Sequence, residues 1–264
     1  PDGLVHMANW RDSLENNRYS NYLAVSAKLA GNYTIMQNLP VQKTERNYDV
    51  EVKHAAPASF AVTSETDVLS QLISARLWSE GKPLRLHLGC GKWHFDGYIN
   101  IDYPPKEHNV VTHLGADLYA DITKLNFPAH SVDEIRLHHV FEHFDRVTAL
   151  GLLIKWHEWL KTGGTLRIET PDLIGSAKTL LSDASLKTKI GVVRHLAGDQ
   201  ADKWAFHTDH WFAERFEHTL TQLGFGPVRV RTSSWPHEPY LSNVQVEAAK
   251  QVHLTRQQLL AACD

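Results

Sequence analysis

The chain has 264 residues, of which 42% are hydrophobic and 22% charged, with a formal net charge of −3, enough for one large domain or a domain with an extension. The near-neutral balance and the lack of a lysine or arginine run exclude the basic face that a nucleic-acid partner needs. Two cysteines, Cys90 and Cys263, exclude a disulfide framework and favour a reducing, cytoplasmic setting; no apolar stretch approaches the roughly 18 residues of a membrane span, so no membrane insertion is expected.

Residues 1–62 read as an N-terminal extension of unclear structure. Asn9, Asn16, Asn17, Asn21, Asn32 and Asn38 interrupt any long period there. A helix near Asp12–Leu29 is the one candidate element, and Ala55-Ala56-Pro57-Ala58-Ser59 reads as a linker. The N-terminus lacks the layout of a signal peptide, and it opens on Pro1 rather than methionine. A processed product, or a piece of a larger chain or assembly, is therefore an expectation.

Residues 63–264 read as the main domain. Ser64 and Asp67 resemble a capping box ahead of Val68, Leu69, Leu72, Ile73 and Leu77 at helical spacing, with Gly81 as C-cap and Pro83 as stop. Strands are expected at Leu84–Leu88, Tyr98–Asp102 and Val132–His138. Asp145 caps a helix over Arg146–Lys161 whose buried stripe is Val147, Leu150, Ile154 and Leu160. Gly163-Gly164 ends it before a strand at Thr165–Thr170. A helix over Trp211–Leu223 ends at Gly224. Strands Val228–Thr232 and Asn243–Ala248 flank a turn-rich segment with Pro236 and Pro239, and a short helix starts near Thr255. Alternating strands and helices predict an α/β fold: a Rossmann-like, doubly wound, mostly parallel sheet with an antiparallel C-terminal strand pair.

The strand ending in Gly89-Cys90-Gly91, followed by Asp102 at the end of the next strand, is the main functional signal. Glycine lets backbone approach a ligand closely, and a strand-terminal acid can accept hydrogen bonds from ribose hydroxyls. A dinucleotide fingerprint needs a third glycine opening a helix, with its acid about 20 residues on. Residue 94 is His94, and Lys92–Tyr98 leaves no room for a crossover helix. A diphosphate wants a helix N-terminus; S-adenosylmethionine carries no phosphate. The nicotinamide oxidoreductase reading is thereby the weaker one. Asp121 and Ile122, in Ala120-Asp121-Ile122-Thr123, can hold adenine, with a turn cap as the bland alternative for Asp121. His138, His139, Glu142 and His143 follow the strand Val132–His138 at its end, near the expected pocket mouth.

The order of these motifs resembles the class I S-adenosylmethionine-dependent methyltransferases, in particular the methyltransferase type 11 group. The resemblance rests on Leu88–Asp102, Val140-Phe141-Glu142-His143-Phe144, Leu160–Ile168, Pro171-Asp172-Leu173, Leu223-Gly224-Phe225 and Asn243–Lys250. It covers roughly residues 66–250. It implies that Gly89, Cys90 and Gly91 line the methionine part of the cofactor. It implies further that Asp102 meets the ribose, Asp121 and Ile122 meet adenine, and His138 lies near the sulfonium. Methyl transfer to oxygen, less readily nitrogen, of a small-molecule acceptor such as a saccharide or other hydroxylated metabolite is the expected reaction. A non-catalytic cofactor-binding module within a larger assembly is the alternative.

Seventeen histidines invite other chemistry. His139-Val140-Phe141-Glu142-His143 fits the H-x-x-E-H string of a zinc peptidase group, which needs a continuous helix and a third ligand; here a strand flows into it. His139 or His143 is a candidate general base, with backbone bonding as the alternative for His143. His207, Asp209 and His210 form a second cluster that can line an acceptor pocket. A metal shared between the clusters would need three or four converging ligands, which spacing does not show, so no metal is assigned. Trp156 and Trp159 read as packing. Trp93 and Trp204, together with His207 and His210, read as acceptor contacts, and Leu173–Phe212 as the acceptor-recognition lid.

Overall fold

The computed structural model describes residues 58–59, 68–104 and 115–263. The candidate helix at Asp12–Leu29 and the capping pair Ser64 and Asp67 lie outside the described residues. Strands are β1 (Ala58–Ser59), β2 (Arg85–Leu88), β3 (Ile99–Asp102), β4 (Leu118–Tyr119), β5 (Val132–His138), β6 (Leu160–Pro171), β7 (Arg229–Trp235) and β8 (Glu238–Ala249). Helices are α1 (Val68–Ser74), α2 (Arg146–Trp159), α3 (Leu173–Leu181), α4 (Leu186–Ala197), α5 (Ala213–Gln222) and α6 (Arg256–Ala261). None of the described helices is long and apolar enough to cross a membrane.

The eight strands form one sheet in the order β1-β4-β3-β2-β5-β6-β8-β7. Pairing is parallel from β1 to β6, while β8 runs antiparallel to both β6 and β7. Chain order winds outward in both directions from β2, which puts the topological switch point between β2 and β5. Ligands of open α/β sheets sit beyond the carboxyl ends at such a point. The linker reading of Ala58-Ser59 gives way to β1, paired with β4, so the sheet begins before residue 63.

Side chains alternate cleanly across the sheet. Leu86, Leu88, Ile101, Ile135, Leu137 and Leu166 are fully buried on one face. On the other, Asn100, His87, Arg136, Arg167, Glu247 and Arg229 follow one another in register from β3 to β7. Parallel sheets covered on both sides read as unbroken apolar runs; these strands have period two because their second face is polar. Arg167 there pairs with Glu134 at 2.8 Å, and Arg136 lies over the Phe95 ring at 4.9 Å.

Asp145 caps α2 by accepting from Thr148 N at 2.9 Å. The helix stops at Trp159, and Leu160, Gly163 and Gly164 already belong to β6. The buried stripe also differs from expectation: Val147 is 81% exposed, whereas Leu152, Leu153, Trp156 and Trp159 are buried. The end of α2 is set by a cation from elsewhere. Lys250, fully buried at the end of β8, donates to His157 O and Leu160 O at 2.5 and 2.9 Å and closes the last turn of α2. Gly81 does not cap α1, which ends at Ser74. The Pro236–Pro239 segment is a tighter turn than expected, with Pro239 inside β8. Trp211 stacks on Phe216 at 4.6 Å, and Phe141 packs against Trp211 at 5.0 Å and Trp156 at 5.8 Å. This aromatic knot anchors the segment after β5.

Candidate functional site

Gly89 and Gly91 leave β2 with φ of +68° and +55°, in the left-handed region. A Cβ at Gly89 would collide with the Val140 side chain, whereas one at Gly91 would meet nothing within 4 Å among the described residues. The turn therefore abuts the post-β5 segment on one side and open space on the other. Cys90 is 1% exposed, and burial pushes its thiol well above the usual range. Asp102 accepts from Gly91 N at 2.5 Å and Tyr103 N at 2.7 Å, so it braces the turn.

The short connection from Gly91 to Ile99 contains no helix. It is held by Asn100, buried on β3, whose Oδ1 accepts from Phe95 N and from His87 Nδ1, each at 3.0 Å. Asn100 Nδ2 donates to Asp117 Oδ2 at 2.8 Å, and Gly115 N donates to Gly91 O at 2.8 Å. Asn100 was not singled out from sequence, although a polar residue inside Ile99-Asn100-Ile101 is a legible signal. Asp121 accepts from Thr123 N at 3.0 Å and Thr123 Oγ1 at 2.6 Å, the turn-capping geometry. Ile122 is buried in the core. His138 ends β5 with its ring 6.0 Å from His87 and 5.8 Å from Phe95; burial lowers its pKa, outweighing Glu169. It lines a cleft of about 140 Å³ with Arg136, Arg167, Glu169, Arg231 and Gln245.

Beyond β5 the chain turns at His139 (φ +53°) into a 3₁₀ turn, Phe141–His143. The histidine string thus has no continuous helix, the context a peptidase would require. Glu142 is 1% exposed. His139 sits between two carboxylates, with Nδ1 3.2 Å from Glu142 Oε1 and Nε2 3.6 Å from Glu169 Oε1. Burial opposes its charge, but the two carboxylates prevail and raise its pKa to about 9. The same arrangement holds Glu142 down at about 2 against its burial. His139 is therefore an imidazolium at neutral pH, not the neutral base expected of it. His143 donates from Nδ1 to Phe206 O at 3.1 Å, the backbone bond foreseen as its alternative, and this leaves Nε2 with a lone pair.

The second histidine cluster comes to the first through backbone. Thr208 N donates to Glu142 O at 2.9 Å, and Thr208 Oγ1 to His143 O at 3.0 Å. His207 is thereby set with its ring centroid 4.7 Å from that of His143 and Nε2 3.9 Å from Glu142 Oε1. Glu142, His143 and His207 can each bring a ligand atom within 4.8 Å of the others, the convergence that spacing alone did not show. His143, Arg194, His195, Trp204, His207 and Trp235 line a cleft of about 200 Å³. His195, on α4, donates to Asn243 Oδ1 at 2.9 Å; it, Glu169 and Trp235 were missed in the sequence because nothing local marks them. Two expected contacts stay out of this cleft. Trp93 is 57% exposed, and His210 supplies its carbonyl to Arg215 Nη1 at 2.6 Å, beside the Asp209–Arg215 ion pair at 2.7 Å. The segment Leu173–Phe212, expected as a lid, contains α3, α4 and the loop carrying Trp204 and His207.

No protein-family model matches the chain, and no curated protein matches it. Solved structures with a similar fold include a SAM-dependent methyltransferase from Archaeoglobus fulgidus, 16% identical, covering 71% of this chain and 95% of that one at a TM-score of 0.44. A second SAM-dependent methyltransferase, from Methanosarcina mazei, is 16% identical and covers 67% and 97% at 0.42. The 1,6-didemethyltoxoflavin-N1-methyltransferase of Burkholderia thailandensis, solved with S-adenosylhomocysteine, is 17% identical over 69% and 76% at 0.43. Such distant likenesses leave the chemistry to the chain's own residues.

Proposed function

We propose that the protein is an S-adenosylmethionine-dependent methyltransferase acting on an oxygen of a small hydroxylated acceptor, of which a saccharide is one kind. One observation carries this reading. A glycine turn at the switch point opens on free space, is braced by a strand-terminal aspartate, and is followed by no helix that could receive a diphosphate. In this reading backbone at Gly89, Cys90 and Gly91 receives the methionine part, Asp102 a ribose hydroxyl, and Asp121 and Ile122 the adenine edge. When bound, the cofactor supplies an electrophilic methyl group on a sulfonium.

The residues of this chain position the acceptor and take its proton. Val140 packs against Gly89, so the His139–His143 segment begins beside the cofactor turn. The cleft beyond it offers indole faces from Trp204 and Trp235 and polar groups from His143, His195 and His207, a lining suited to a polyhydroxylated ring. The acceptor proton leaves into the Glu142–His143–His207 cluster, where His143 Nε2 carries the free lone pair. Imidazolium His139 stabilises the buried carboxylates and orients Glu142. A cytoplasmic setting and assignment of the region after residue 62 as the catalytic unit belong to the same proposal.

Isothermal titration with S-adenosylmethionine and with a nicotinamide dinucleotide tests the reading. Binding of the first, weakened about 10–100-fold by Asp102→Ala, corresponds to one or two lost hydrogen bonds. Preference for the nicotinamide would overturn the cofactor assignment. Tight binding without cofactor consumption across hydroxylated acceptors would favour a non-catalytic module.

A further inference from the structure

The 3₁₀ turn after β5 buries a carboxylate in an arrangement that its protein neighbours do not complete. Glu142 is 1% exposed, yet among the described residues neither of its oxygens has a hydrogen-bond partner, and His207 Nδ1 is likewise buried without one. Native proteins satisfy nearly all buried polar atoms, and an incompletely paired buried carboxylate is among the costlier exceptions. His139 Nδ1 lies at ion-pair distance, 3.2 Å from Oε1, but out of line for a hydrogen bond. Glu142 therefore keeps coordination capacity close to His143 and His207, whose ligand atoms lie within 4.8 Å of its own.

We propose that Glu142, His143 and His207 form a binding site for a divalent transition metal of the zinc class, open to the cleft beside Trp204. The three groups bring one ligand atom each within 4.8 Å of one another. Around a tetrahedral zinc, with ligand bonds of about 2.0–2.2 Å, neighbouring ligand atoms lie about 3.4 Å apart. His207 Nε2 is already 3.9 Å from Glu142 Oε1, so small side-chain rotations close the site. The supporting shell is in place. Phe206 O takes the Nδ1 proton of His143 at 3.1 Å, the bond that fixes a ligating imidazole's tautomer. The Thr208 bonds to Glu142 O and His143 O lock the His207 loop to the turn. Two imidazoles and one carboxylate suit zinc rather than magnesium or calcium, which prefer oxygen. Three protein ligands with a face left toward a cleft is the pattern of sites that accept a water or substrate oxygen.

Such an ion would bind the acceptor hydroxyl and lower its pKa, and with His143 Nε2 then engaged as a ligand the proton would pass to solvent in the open cleft rather than to His143. That role rests on the methyl-transfer reading; binding of the ion does not.

The test uses the untagged full chain, stripped with a chelator and titrated with zinc chloride, cobalt chloride and magnesium chloride by calorimetry. We expect about one zinc per chain with micromolar or tighter affinity, cobalt absorption of a tetrahedral site, and much weaker magnesium binding. Glu142→Gln and His207→Gln should each weaken zinc about 100-fold. Glu142→Gln also strips His139 of a carboxylate partner and should lower the metal-free melting temperature. His207→Gln leaves that pair intact and should weaken zinc without lowering the melting temperature, which separates ligation from a structural need for the charge. Zinc binding equal in parent and variants would mean scattered surface histidines and would overturn the proposal, as would no stoichiometric binding or equal affinity for magnesium. Zinc binding without S-adenosylmethionine binding would uphold the metal site and remove the methyl-transfer reading; the converse would do the reverse.

Discussion

Replacing Gly89 and Gly91 separately with alanine probes two sides of the same turn. Both have φ in the left-handed region, so each alanine costs about 1–2 kcal/mol from the backbone alone. They diverge in what the new methyl meets. At Gly89 it collides with Val140, whereas at Gly91 it enters open space. Overpacking adds roughly 1–3 kcal/mol, so Gly89→Ala should lose about 2–5 kcal/mol and Gly91→Ala about 1–2. At about 2–4 °C per kcal/mol for a domain of this size, the midpoints fall by roughly 4–20 °C and 2–8 °C. Calorimetric titration supplies the functional half: Gly91→Ala puts its methyl where the cofactor's amino-acid end is proposed to lie, so S-adenosylmethionine affinity should fall about 100-fold while the fold persists. Val140→Ala, combined with Gly89→Ala, should recover most of the packing part. The crevice assignment is refuted if Gly91→Ala binds the cofactor as the parent does. The Val140 contact is refuted if the double variant is as unstable as the two single effects summed.

Two further outcomes follow from the buried polar groups. His87 and His157 are 1% and 0% exposed, and burial lowers both pKa values to about 4. His87 is also faced by His138 and Arg136, with Asp102 opposing, and His157 by Lys250, His253 and His130. Because the folded pKa lies below the unfolded value, the contribution is complete above about pH 6.5 and is lost as pH falls toward 4, roughly 3 kcal/mol for each group over the full window. Urea unfolding at pH 7.5 and 5 should show about 2 kcal/mol of that loss for each group. It is partly offset by His139, whose raised pKa makes its contribution grow as pH falls from about 9 toward 6.5. His157→Gln should remove its share, and a parent that becomes more stable at pH 5 contradicts the assignment. Lys250→Met strips the cation from His157 O and Leu160 O, leaves buried carbonyls unbonded, and should cost about 2–4 kcal/mol; hydrogen exchange should localise the loosening to the end of α2, and an unchanged last turn would contradict the capping role.

β2, β3 and β5 were legible within a residue or two because short apolar runs closed by Gly89 and by strand-end polar residues leave few other arrangements. By contrast, β6 and β8 begin at Leu160 and Glu238, before the expected Thr165 and Asn243, and β1 and β4 had no local signal. Helix ends were also less legible. Arg146–Lys161 was read two residues too long since nothing local announces Lys250, about 90 positions downstream, as the group that closes it. The stripe through Val147 erred for a related reason: the apolar neighbours that decide which side faces inward, such as Phe141 and Trp211, belong to other segments.

The same division holds for the site. The glycine turn, Asp102 and the shortened connection are local, each fixed within fifteen residues by backbone conformation and a strand end, and so could be read directly. Which histidine can serve as a base could not. That depends on Glu169, 30 residues from His139, and on Phe206, 63 residues from His143, since protonation and tautomer follow from electrostatic partners in space. Sequence by itself determined the central strands, the turn and the acids along it; only tertiary structure decided that β1 and β4 extend the sheet, that His139 is charged, that Lys250 is buried, and that Glu142, His143 and His207 meet. Backbone preference and hydrophobic period act over a few residues, whereas desolvation and charge pairing act between whichever groups the fold brings together.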